Sequence, residues 1–395
     1  MRHKDRVMSA FRGEWADRPG IFEQAFASSV ASKILGRRAL TGSTSLHYEE
    51  SRAWMRGESA HAEFLDRVYE DTVALARALD LDAIYPPWRF GTRPTRQVDE
   101  YTFLYGDESG DGWVKMSFDP ASETYGVVAR GREPTSEDVA QTMRAAIAAA
   151  AREPAPSTER LDPFLRRLLR EHGGEYAIPT GGAGLSIPIQ RAWLEATLLD
   201  RALVEEYLDA RVESNLRWLP VYKAAGADYI NGGGDFADKN GPVYSPRFFC
   251  QVMAPRWQRI FQACRAVGLP YVMRSDGNLW PVAEELFGQC RPEGYGEVDW
   301  DAGMDPARVR AAFPELVIFG SVPCGGVLLR GTPRQVAETA EYCLRAAGPR
   351  VVLGSSNAIL HGTPPENVHA LFEVARRFKP PRRRTPPRAP ARAAR

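Results

Sequence analysis

Short buried strands alternate with helical stretches along most of the chain, and this alternation limits the folds open to it. Eight segments are predicted to be strands because they are short, apolar and bounded by turn residues. These segments are Pro19–Phe26, Leu79–Trp88, Tyr176–Gly182, Asp228–Asp235, Pro270–Asn278, Gly294–Trp300, Leu316–Pro323 and Arg350–Asn357. Eight such units favour an α/β fold, the (β/α)8 TIM barrel, over an open doubly wound sheet. No Gly-x-Gly-x-x-Gly fingerprint of dinucleotide binding follows any of the eight segments.

A different pattern interrupts the alternation between Arg93 and Gly131. Short runs of alternating apolar and polar residues are separated there by Gly and Asp pairs, which is typical of antiparallel hairpins. We therefore expect a β-hairpin insertion at residues 93–131, in the N-terminal half of the barrel. Residues 1–378 as a whole are expected to form a single barrel domain, which a chain of 395 residues can accommodate.

The charge of the chain is unevenly distributed. The chain has 51 Lys and Arg against 50 Asp and Glu, but the basic tail at residues 379–395 has seven basic residues and no acidic ones. The rest of the chain is therefore mildly acidic and has no basic run, which argues against a nucleic-acid partner. The tail is rich in Pro and Arg, and we predict that it is disordered.

The sequence shows neither a membrane span nor a secretory signal. No apolar run approaches the roughly 18 residues of a membrane helix, and the N-terminus lacks the apolar stretch of a signal peptide. The five cysteines form no Cys-x-x-Cys pair. We therefore predict a cytoplasmic protein with reduced thiols and no membrane partner.

Polar residues gather at the carboxyl ends of the predicted strands, where TIM barrels carry their active sites. Arg274, Asp276 and Asn278 alternate directly after a buried strand, so their side chains are expected to face one side, with a tight turn at Gly277. An Arg and a carboxylate two residues apart can form an ion pair. That pair would either belong to a functional site or be a structural pair that closes the barrel mouth.

Residues at the ends of other strands add candidates to the same site. Three consecutive glycines, Gly232–Gly234, would let the backbone approach a ligand closely, although a flexible loop has the same sequence pattern. Asp235 and Lys239 would supply opposite charges beside them. The residues predicted to bind substrate at this rim are Asn231, Lys239, Asn278, Glu297, Asp299, Asn357 and His361.

Four motifs in the C-terminal half resemble, in order, the uroporphyrinogen decarboxylase superfamily. This superfamily includes methyltransferases that pass methyl groups between small molecules, corrinoid proteins and thiols. The first half of the chain resembles it through Asp5–Phe22 and Ala78–Ile84. The resemblance implies an enzyme with a small-molecule substrate, and a homodimer, as in related barrels. The four motifs are Gly233–Asp235 with Ser245–Phe249, the turn Ser275–Asn278, Val317–Pro323 with Gly331–Val336, and Leu353–Val368.

The chain departs from this family at the residues that would decide its chemistry. The family's thiol methyltransferases hold zinc with a His and a Cys on strand 5 and a Cys after strand 8. The corresponding residues here are Arg274, Asp276, and Ser355 or Asn357, which do not make a thiolate-activating zinc site. In the decarboxylases an Arg-rich segment near the N-terminus binds carboxylates, whereas this chain has Glu23 at about that place. We therefore expect a divergent member that does not act on a tetrapyrrole.

The leading hypothesis is an enzyme that acts on a small anionic or carboxylated metabolite, by decarboxylation or a related lyase step, without a metal or other cofactor. Arg274 would bind a carboxylate, and Asp276 or Asp235 would donate a proton. One alternative is a methyltransferase that moves a methyl group from a small compound to a separate corrinoid protein, since the chain has no Asp-x-His-x-x-Gly corrinoid motif. Another is a barrel that binds a ligand without catalysis.

Two geometries are open for the predicted site. With Arg274 pointing inward, we expect Arg274, Asp276 and Asn357 to meet at the barrel mouth and the guanidinium to keep Asp276 ionised. With Arg274 pointing outward, Asp276, Asp235 and Glu297 would surround a divalent metal such as Mg²⁺.

Overall fold

The computed structural model describes residues 1–42 and 44–381. Ser43 and residues 382–395 lie outside the described residues, and so does most of the tail that the sequence predicts to be disordered. Two described residues of that tail, Pro380 and Pro381, line a surface recess together with Trp15.

A curled parallel sheet forms the centre of the molecule. Seven strands are hydrogen-bonded in the order β1-β13-β12-β11-β10-β7-β6, and all neighbouring pairs are parallel. Each of the seven lies within a segment that the sequence predicts to be a strand. In chain order, the strands of the described residues are β1 (Gly20–Ile21), β2 (Arg96–Gln97), β3 (Thr102–Tyr105), β4 (Val114–Asp119), β5 (Thr124–Arg130), β6 (Pro179–Thr180), β7 (Tyr229–Gly233), β8 (Ala237–Asp238), β9 (Gly241–Pro242), β10 (Tyr271–Arg274), β11 (Gly294–Gly296), β12 (Val317–Phe319) and β13 (Val351–Leu353).

Residues 82–84 lie between β1 and β6, the two outer strands of this sheet. The Asp82 N–H donates to the Ile21 carbonyl at 2.8 Å, and the Ile84 N–H donates to the Ala177 carbonyl at 3.0 Å. Ala83 and Ala177 form a parallel bridge. This segment belongs to the second predicted strand. The curled sheet and its bridged edges are consistent with a TIM-barrel-like fold.

Helices connect the strands and cover the outside of the sheet. A representative is α12, which begins with a capping box between Thr332 and Gln335 and buries an apolar stripe that includes Val336 and Leu344. The α-helices of the described residues are α1 (His3–Phe11), α2 (Ser28–Leu35), α3 (Thr44–Arg56), α4 (Glu58–Ala78), α5 (Ser136–Arg152), α6 (Pro163–His172), α7 (Arg191–Leu199), α8 (Arg201–Ala224), α9 (Pro246–Phe248), α10 (Ala254–Ala266), α11 (Pro306–Ala312), α12 (Pro333–Ala347) and α13 (Pro365–Arg377).

A separate antiparallel sheet, in the order β2-β3-β4-β5, lies within the range where the sequence predicts a hairpin insertion. Phe103, Tyr105 and Tyr125 from this sheet pack with Tyr48 of α3 in a small apolar cluster. The antiparallel sheet is thereby attached to the N-terminal half of the chain.

Apolar side chains fill the inside of the curled sheet. Val7 and Ala10 of α1 pack with this layer. Because side chains alternate along a strand, the residues two positions after Tyr229 and Val272 face the same interior at the carboxyl end of the sheet. Those residues are Asn231 and Arg274, so the fold places them above the apolar layer. The residues of this layer that come from the strands and from the segments beside them are Phe22, Ala83, Tyr85, Ala177, Tyr229, Val272, Val317, Phe319 and Val352.

The sequence predicts that the chain has no membrane span and that its cysteines are reduced. None of the helices in the described part of the chain is both long and apolar enough to cross a membrane. The five cysteines, all within the described residues, are free thiols.

Candidate active site

Arg274 is the last residue of β10, and its side chain is buried with 8% exposed. Its Nη2 donates a hydrogen bond to Glu297 Oε1 at 3.0 Å. Its Nε and Nη1 are also buried, and they have no hydrogen-bond partner among the described residues. An unpaired buried donor costs about 1–3 kcal/mol, and more when the group is charged. These two nitrogens are therefore suited to an acceptor that a ligand brings.

A glycine makes room for this guanidinium. Arg274 and Gly296 are paired in register on the adjacent strands β10 and β11. A Cβ atom at Gly296 would collide with Arg274 Nη1 and would lie 2.8 Å from its Cζ. The inward position of the Arg274 side chain therefore depends on the absence of a side chain at residue 296.

Glu297 follows β11 directly and has a left-handed backbone conformation, with φ of 64°, which is uncommon for residues other than glycine. Its Oε1 accepts a second hydrogen bond, from Gln24 Nε2 at 3.2 Å. The same Gln24 nitrogen donates to Asn357 Oδ1, also at 3.2 Å. Hydrogen bonds thus connect Arg274, Glu297 and Asn357. They pass through Gln24, which the sequence does not identify as a site residue.

Two of the predicted acids, Asp276 and Asp235, lie near Glu297. Burial is the largest cause that raises the pKa of Asp276 to about 6, and the negative charges of Glu297, Asp235 and Asp299 add to it. Burial and the charge of Glu297 also raise the pKa of Asp235, whereas the charge of Arg274 lowers it. The structure therefore brings the three predicted catalytic residues, Arg274, Asp276 and Asp235, into the surroundings of Glu297.

The ion pair that the sequence allows between Arg274 and Asp276 is not formed in the described part of the chain. Arg274 pairs with Glu297 instead, and the described residues show no hydrogen bond or ion pair between Arg274 and Asp276. The strand ends at Arg274, so the alternation of side chains does not continue to residue 276. The expectation that Arg274 keeps Asp276 ionised stays a prediction, and the pKa of about 6 that burial and the neighbouring acids give Asp276 still lies below neutral pH.

The predicted tight turn after β10 is present. Gly277 has a φ of 80°, and a Cβ atom there would lie 2.7 Å from the Asp238 carbonyl oxygen, so this position favours glycine. The Asn278 N–H donates to the same carbonyl at 2.7 Å, and Asn278 Oδ1 accepts from the Trp280 N–H at 3.1 Å. The side chain of Asn278 therefore stabilises the turn.

Asp299 lies three residues after β11, and Asn231 lies within β7. Asp299 Oδ1 accepts hydrogen bonds from the N–H groups of residues 301 and 302, at 3.0 and 3.3 Å, so it holds a local turn. Asn231 lies in β7, opposite Val272 of β10. Its Oδ1 is buried and has no hydrogen-bond partner among the described residues.

Two other predicted residues, Lys239 and His361, do not join this site. Lys239 is exposed, and no ion pair links it to Asp235 within the part of the chain that the structure describes. His361 Nδ1 lies 3.0 Å from Ser29 Oγ and 3.4 Å from the carboxylate of Glu123. The predicted opposite charges of Asp235 and Lys239 are therefore not paired, and His361 contacts the antiparallel part of the molecule.

Glu23 is a site residue that the sequence hypothesis did not include. Its carboxyl group is buried, and it accepts hydrogen bonds from Ser355 Oγ at 2.8 Å, the Ser355 N–H at 3.1 Å and the Gln24 N–H at 3.1 Å. Burial raises the pKa of Glu23 to about 7, although these hydrogen bonds and the charge of Arg274 oppose the shift. A carboxyl group with this pKa can hold or release a proton near neutral pH.

A small cavity adjoins this carboxyl group. It has a volume of about 30 Å³, and its lining includes Glu23, Gln24 and Tyr85. The Tyr85 hydroxyl accepts a hydrogen bond from Tyr229 at 2.7 Å. In the sequence, Glu23 stands out as a carboxylate at the place where the family has a cation. The burial of Glu23 follows from the pairing of β1 with β13, which no local motif reveals.

The residues at the family's zinc position do not fit that metal. The place of the first ligand is taken by Arg274, whose guanidinium is always protonated and cannot ligate zinc. At the third position, Ser355 Oγ donates its hydrogen to Glu23. The described residues contain no group of three or more His, Cys, Asp or Glu arranged to hold a metal ion. The outward position of Arg274 that the divalent-metal alternative requires is not seen, because Arg274 is buried and pairs with Glu297.

Comparisons with known proteins agree with the motif analysis. The family model for uroporphyrinogen decarboxylase matches residues 187–378. This range contains Asp235, Arg274, Asp276 and Glu297, but not Glu23. No curated protein sequence matches the chain.

A solved structure shares the fold of the chain. A methyltransferase from Methanosarcina mazei superposes with a TM-score of 0.64 at 17% sequence identity, covering 95% of this chain and 98% of that one. A 3-keto-L-gulonate-6-phosphate decarboxylase from Vibrio cholerae reaches a TM-score of 0.29 at 13% identity, covering 55% of this chain and 79% of that one, which is too low to support an argument. Residues 187–378 thus match the uroporphyrinogen decarboxylase family model, in agreement with the relationship predicted from the motifs, and the methyltransferase structure supports the fold.

Proposed function

We propose that the chain is an enzyme that binds a carboxylated small molecule at the carboxyl end of its curled sheet. The observation that carries this proposal is the buried guanidinium of Arg274 with two unpartnered nitrogens. A carboxylate would accept a hydrogen bond from one of these donors and neutralise the positive charge, and charge-assisted bonds of this kind are among the strongest in proteins. The fold of the proposed enzyme is a complete (β/α)8 barrel formed by residues 1–378.

The proposed reaction is decarboxylation or a related lyase step without a metal. In decarboxylation the bond between the substrate carbon and its carboxyl group breaks, the electron pair stays on the substrate carbon, and a proton replaces the released CO₂. Asp276 and Glu23 are supported as proton donors because burial raises their pKa values to about 6 and about 7. Asp235, whose pKa is also raised, is a further candidate.

A second candidate function is methyl transfer from a small methylated compound to a separate corrinoid protein. The likeness in fold to the Methanosarcina mazei methyltransferase favours keeping it. The corrinoid would come from the partner protein, and Arg274 would then bind an acidic group of the methylated compound. The residues at the family's zinc position argue against direct transfer to a zinc-bound thiolate.

Two assays on the same purified protein distinguish these functions. Incubation with a panel of small carboxylic acids, after dialysis against a chelator, is expected to release CO₂ from at least one of them. Incubation of methylated compounds with cob(I)alamin would instead form methylcobalamin if the second function is right. Binding of an acid with neither product would indicate a ligand-binding barrel and would contradict both catalytic proposals.

The proposal also includes a cytoplasmic location and a homodimer, the state that the resemblance implies. Measurement of the mass in solution tests the dimer, because a monomer of 43.9 kDa and a dimer of twice that mass are easily separated. A monomeric enzyme with full activity would contradict this part of the proposal.

A further inference from the structure

The surroundings of Arg274 contain more negative than positive charge. Four carboxyl groups, which we call the mouth carboxylates, belong to Asp235, Asp276, Glu297 and Asp299. The charges of the other three act on Asp276, so each of them lies within electrostatic range of that residue. Asp235 also lies beside Arg274, because the preceding Gly234 N–H donates to the Arg274 carbonyl at 3.1 Å. Arg274 is the cation that pairs with this group, through Glu297. A ligand that carried only negative charge would be drawn to Arg274 and repelled by the mouth carboxylates.

Three of the mouth carboxylates have no cation of their own. Asp235, Asp276 and Asp299 form no ion pair with any residue in the ranges 1–42 and 44–381. Asp299 has hydrogen bonds from its local turn. The side chains of Asp235 and Asp276 accept no hydrogen bond from another described side chain. Asp276 is half-buried, and carboxylates in such positions are normally paired or hydrogen-bonded. Asp235 is exposed, so both carboxylates can accept a cationic group from a ligand.

We propose that the substrate of this site is a zwitterion, whose carboxylate binds Arg274 and whose ammonium group lies between Asp235 and Asp276. The inference rests on the proposed function, since it defines the substrate for the same site. The buried, unpartnered nitrogens of Arg274 mark the position of the carboxylate. The two unpaired acids mark the side on which the positive charge lies.

The free acceptor of Asn231 supports this assignment. Its Oδ1 is buried without a partner, and it lies in β7, the strand next to Arg274. Asn231 faces the sheet interior because it is two residues after Tyr229, which packs there. A carbonyl oxygen accepts hydrogen bonds and does not donate them, so an ammonium N–H would satisfy it.

The raised pKa values of Asp276 and Asp235 are consistent with a site that lacks its cation. In both cases the negative charge of Glu297 contributes to the rise. An ammonium group beside these acids would favour their charged forms and lower both pKa values.

The test compares three molecules that have the same number of carbon atoms and carry different charged groups. Propionate carries the carboxylate, propylamine carries the ammonium group, and β-alanine carries both. Isothermal titration calorimetry at pH 8 measures the three affinities, and the series is repeated with acetate, methylamine and glycine and with butyrate, butylamine and γ-aminobutyrate to vary the spacing. In at least one series the zwitterion is expected to bind about 10-fold or more tightly than the acid, which is the contribution of one charge-assisted hydrogen bond.

Two variants and a matched control make the result specific. The double variant D235N/D276N is expected to remove the advantage of the zwitterion over the acid while the affinity for the acid stays the same or increases. The control variant D301N neutralises an exposed carboxylate two residues after Asp299 that forms no ion pair with any residue the structure describes, and it is expected to keep the advantage. Asn has nearly the shape of Asp, and circular dichroism checks that the variants fold.

The outcomes separate this inference from the proposed function. If the wild-type protein binds the acids as tightly as the zwitterions in every series, the zwitterion inference is wrong, and weaker acid binding by R274M would still support the carboxylate site. If no acid and no zwitterion binds, both are wrong. If the amines bind as tightly as the zwitterions, Asp235 and Asp276 form a cation site and Arg274 does not bind the carboxylate.

Discussion

Arg274 Nη2 donates to Glu297 Oε1 at 3.0 Å, and these two residues lie at the carboxyl ends of the neighbouring parallel strands β10 and β11. The bond holds the guanidinium across the carboxyl end of the sheet and leaves Nε and Nη1 without partners among the described residues. Since the carboxylate of Glu297 also accepts from Gln24, which follows β1, the position of Arg274 is linked to a third strand end. The proposed carboxylate site is thus fixed by residues at the carboxyl ends of β1, β10 and β11.

The first prediction concerns Gly296, whose missing side chain leaves room for the guanidinium. The substitution G296A is expected to displace Arg274, because the new Cβ would collide with Nη1 and lie 2.8 Å from Cζ. We expect affinity for propionate or β-alanine to fall about 10-fold or more, whereas unfolding free energy falls by about 1–3 kcal/mol. Calorimetry and urea denaturation measure the two effects.

The control is G126A, in the exposed strand β5, where a Cβ atom would meet nothing within 4 Å. It is expected to leave ligand affinity unchanged. Full ligand affinity in G296A would show that the inward position of Arg274 is not required for binding.

The second prediction concerns the pKa of Asp276. Removing the negative charge of Glu297 with E297Q is expected to lower this pKa from about 6, because Glu297 is the charged neighbour with the largest effect. The loss of its partner would also leave the positive charge of Arg274 less compensated, which acts in the same direction. A ¹³C NMR titration of labelled Asp carboxyl groups measures the shift. An unchanged or higher pKa in E297Q would mean that these residues are not close enough to interact.

The third prediction concerns Glu23 and its hydrogen-bond donor Ser355. Ser355 Oγ donates to Glu23 Oε1 at 2.8 Å and thereby favours the charged carboxylate. S355A is therefore expected to raise the pKa of Glu23 above about 7, by roughly one unit for one hydrogen bond to a charged group. A titration of labelled Glu carboxyl groups tests this, and a lower pKa in S355A would contradict the assigned direction of the bond.

The fourth prediction is a pH dependence of stability that comes from Glu23. Its pKa is about 7 in the folded protein, against 4.5 for an ordinary Glu. Between these pH values the unfolded chain releases the proton and the folded chain keeps it, so the stability that Glu23 contributes is present below about pH 4.5 and is lost as pH rises through 7. The loss amounts to about 3 kcal/mol.

Urea denaturation of wild-type protein and E23Q across pH 4 to 8 measures this contribution as the difference between the two curves. The unfolding free energy of the wild type is expected to decrease relative to that of E23Q as pH rises. Parallel curves would show that Glu23 titrates normally in the folded protein.

Much of the architecture could be predicted from local sequence signals. The strand segments ending at Arg274 and at Gly296 are short, apolar and followed by polar residues, so their positions follow from the pattern itself. The turn at Gly277 was predictable for the same reason, since glycine tolerates the positive φ found there. The placement of Arg274 and Asp235 at one end of the sheet followed from the rule that parallel strands end together.

The pairing of side chains could not be predicted from those signals. The sequence allowed an ion pair between Arg274 and Asp276, two residues away, but Arg274 pairs with Glu297, which is brought close by the alignment of two strands. The buried position of Glu23 depends on the contact of β1 with β13, which are more than three hundred residues apart in the chain. Interactions of this kind are set by strand register, and a single sequence contains no direct record of register.

The central claim is that the unpartnered nitrogens of Arg274 bind the carboxylate of a small molecule, and the affinity of R274M for propionate tests it most directly. Isothermal titration of the wild type, R274M and the control variant R334M, an exposed Arg on the outer helix α12, compares three proteins under one condition. We expect R274M to bind propionate about 10-fold or more weakly than the wild type and R334M do. Equal affinity in all three proteins would show that Arg274 does not bind the carboxylate.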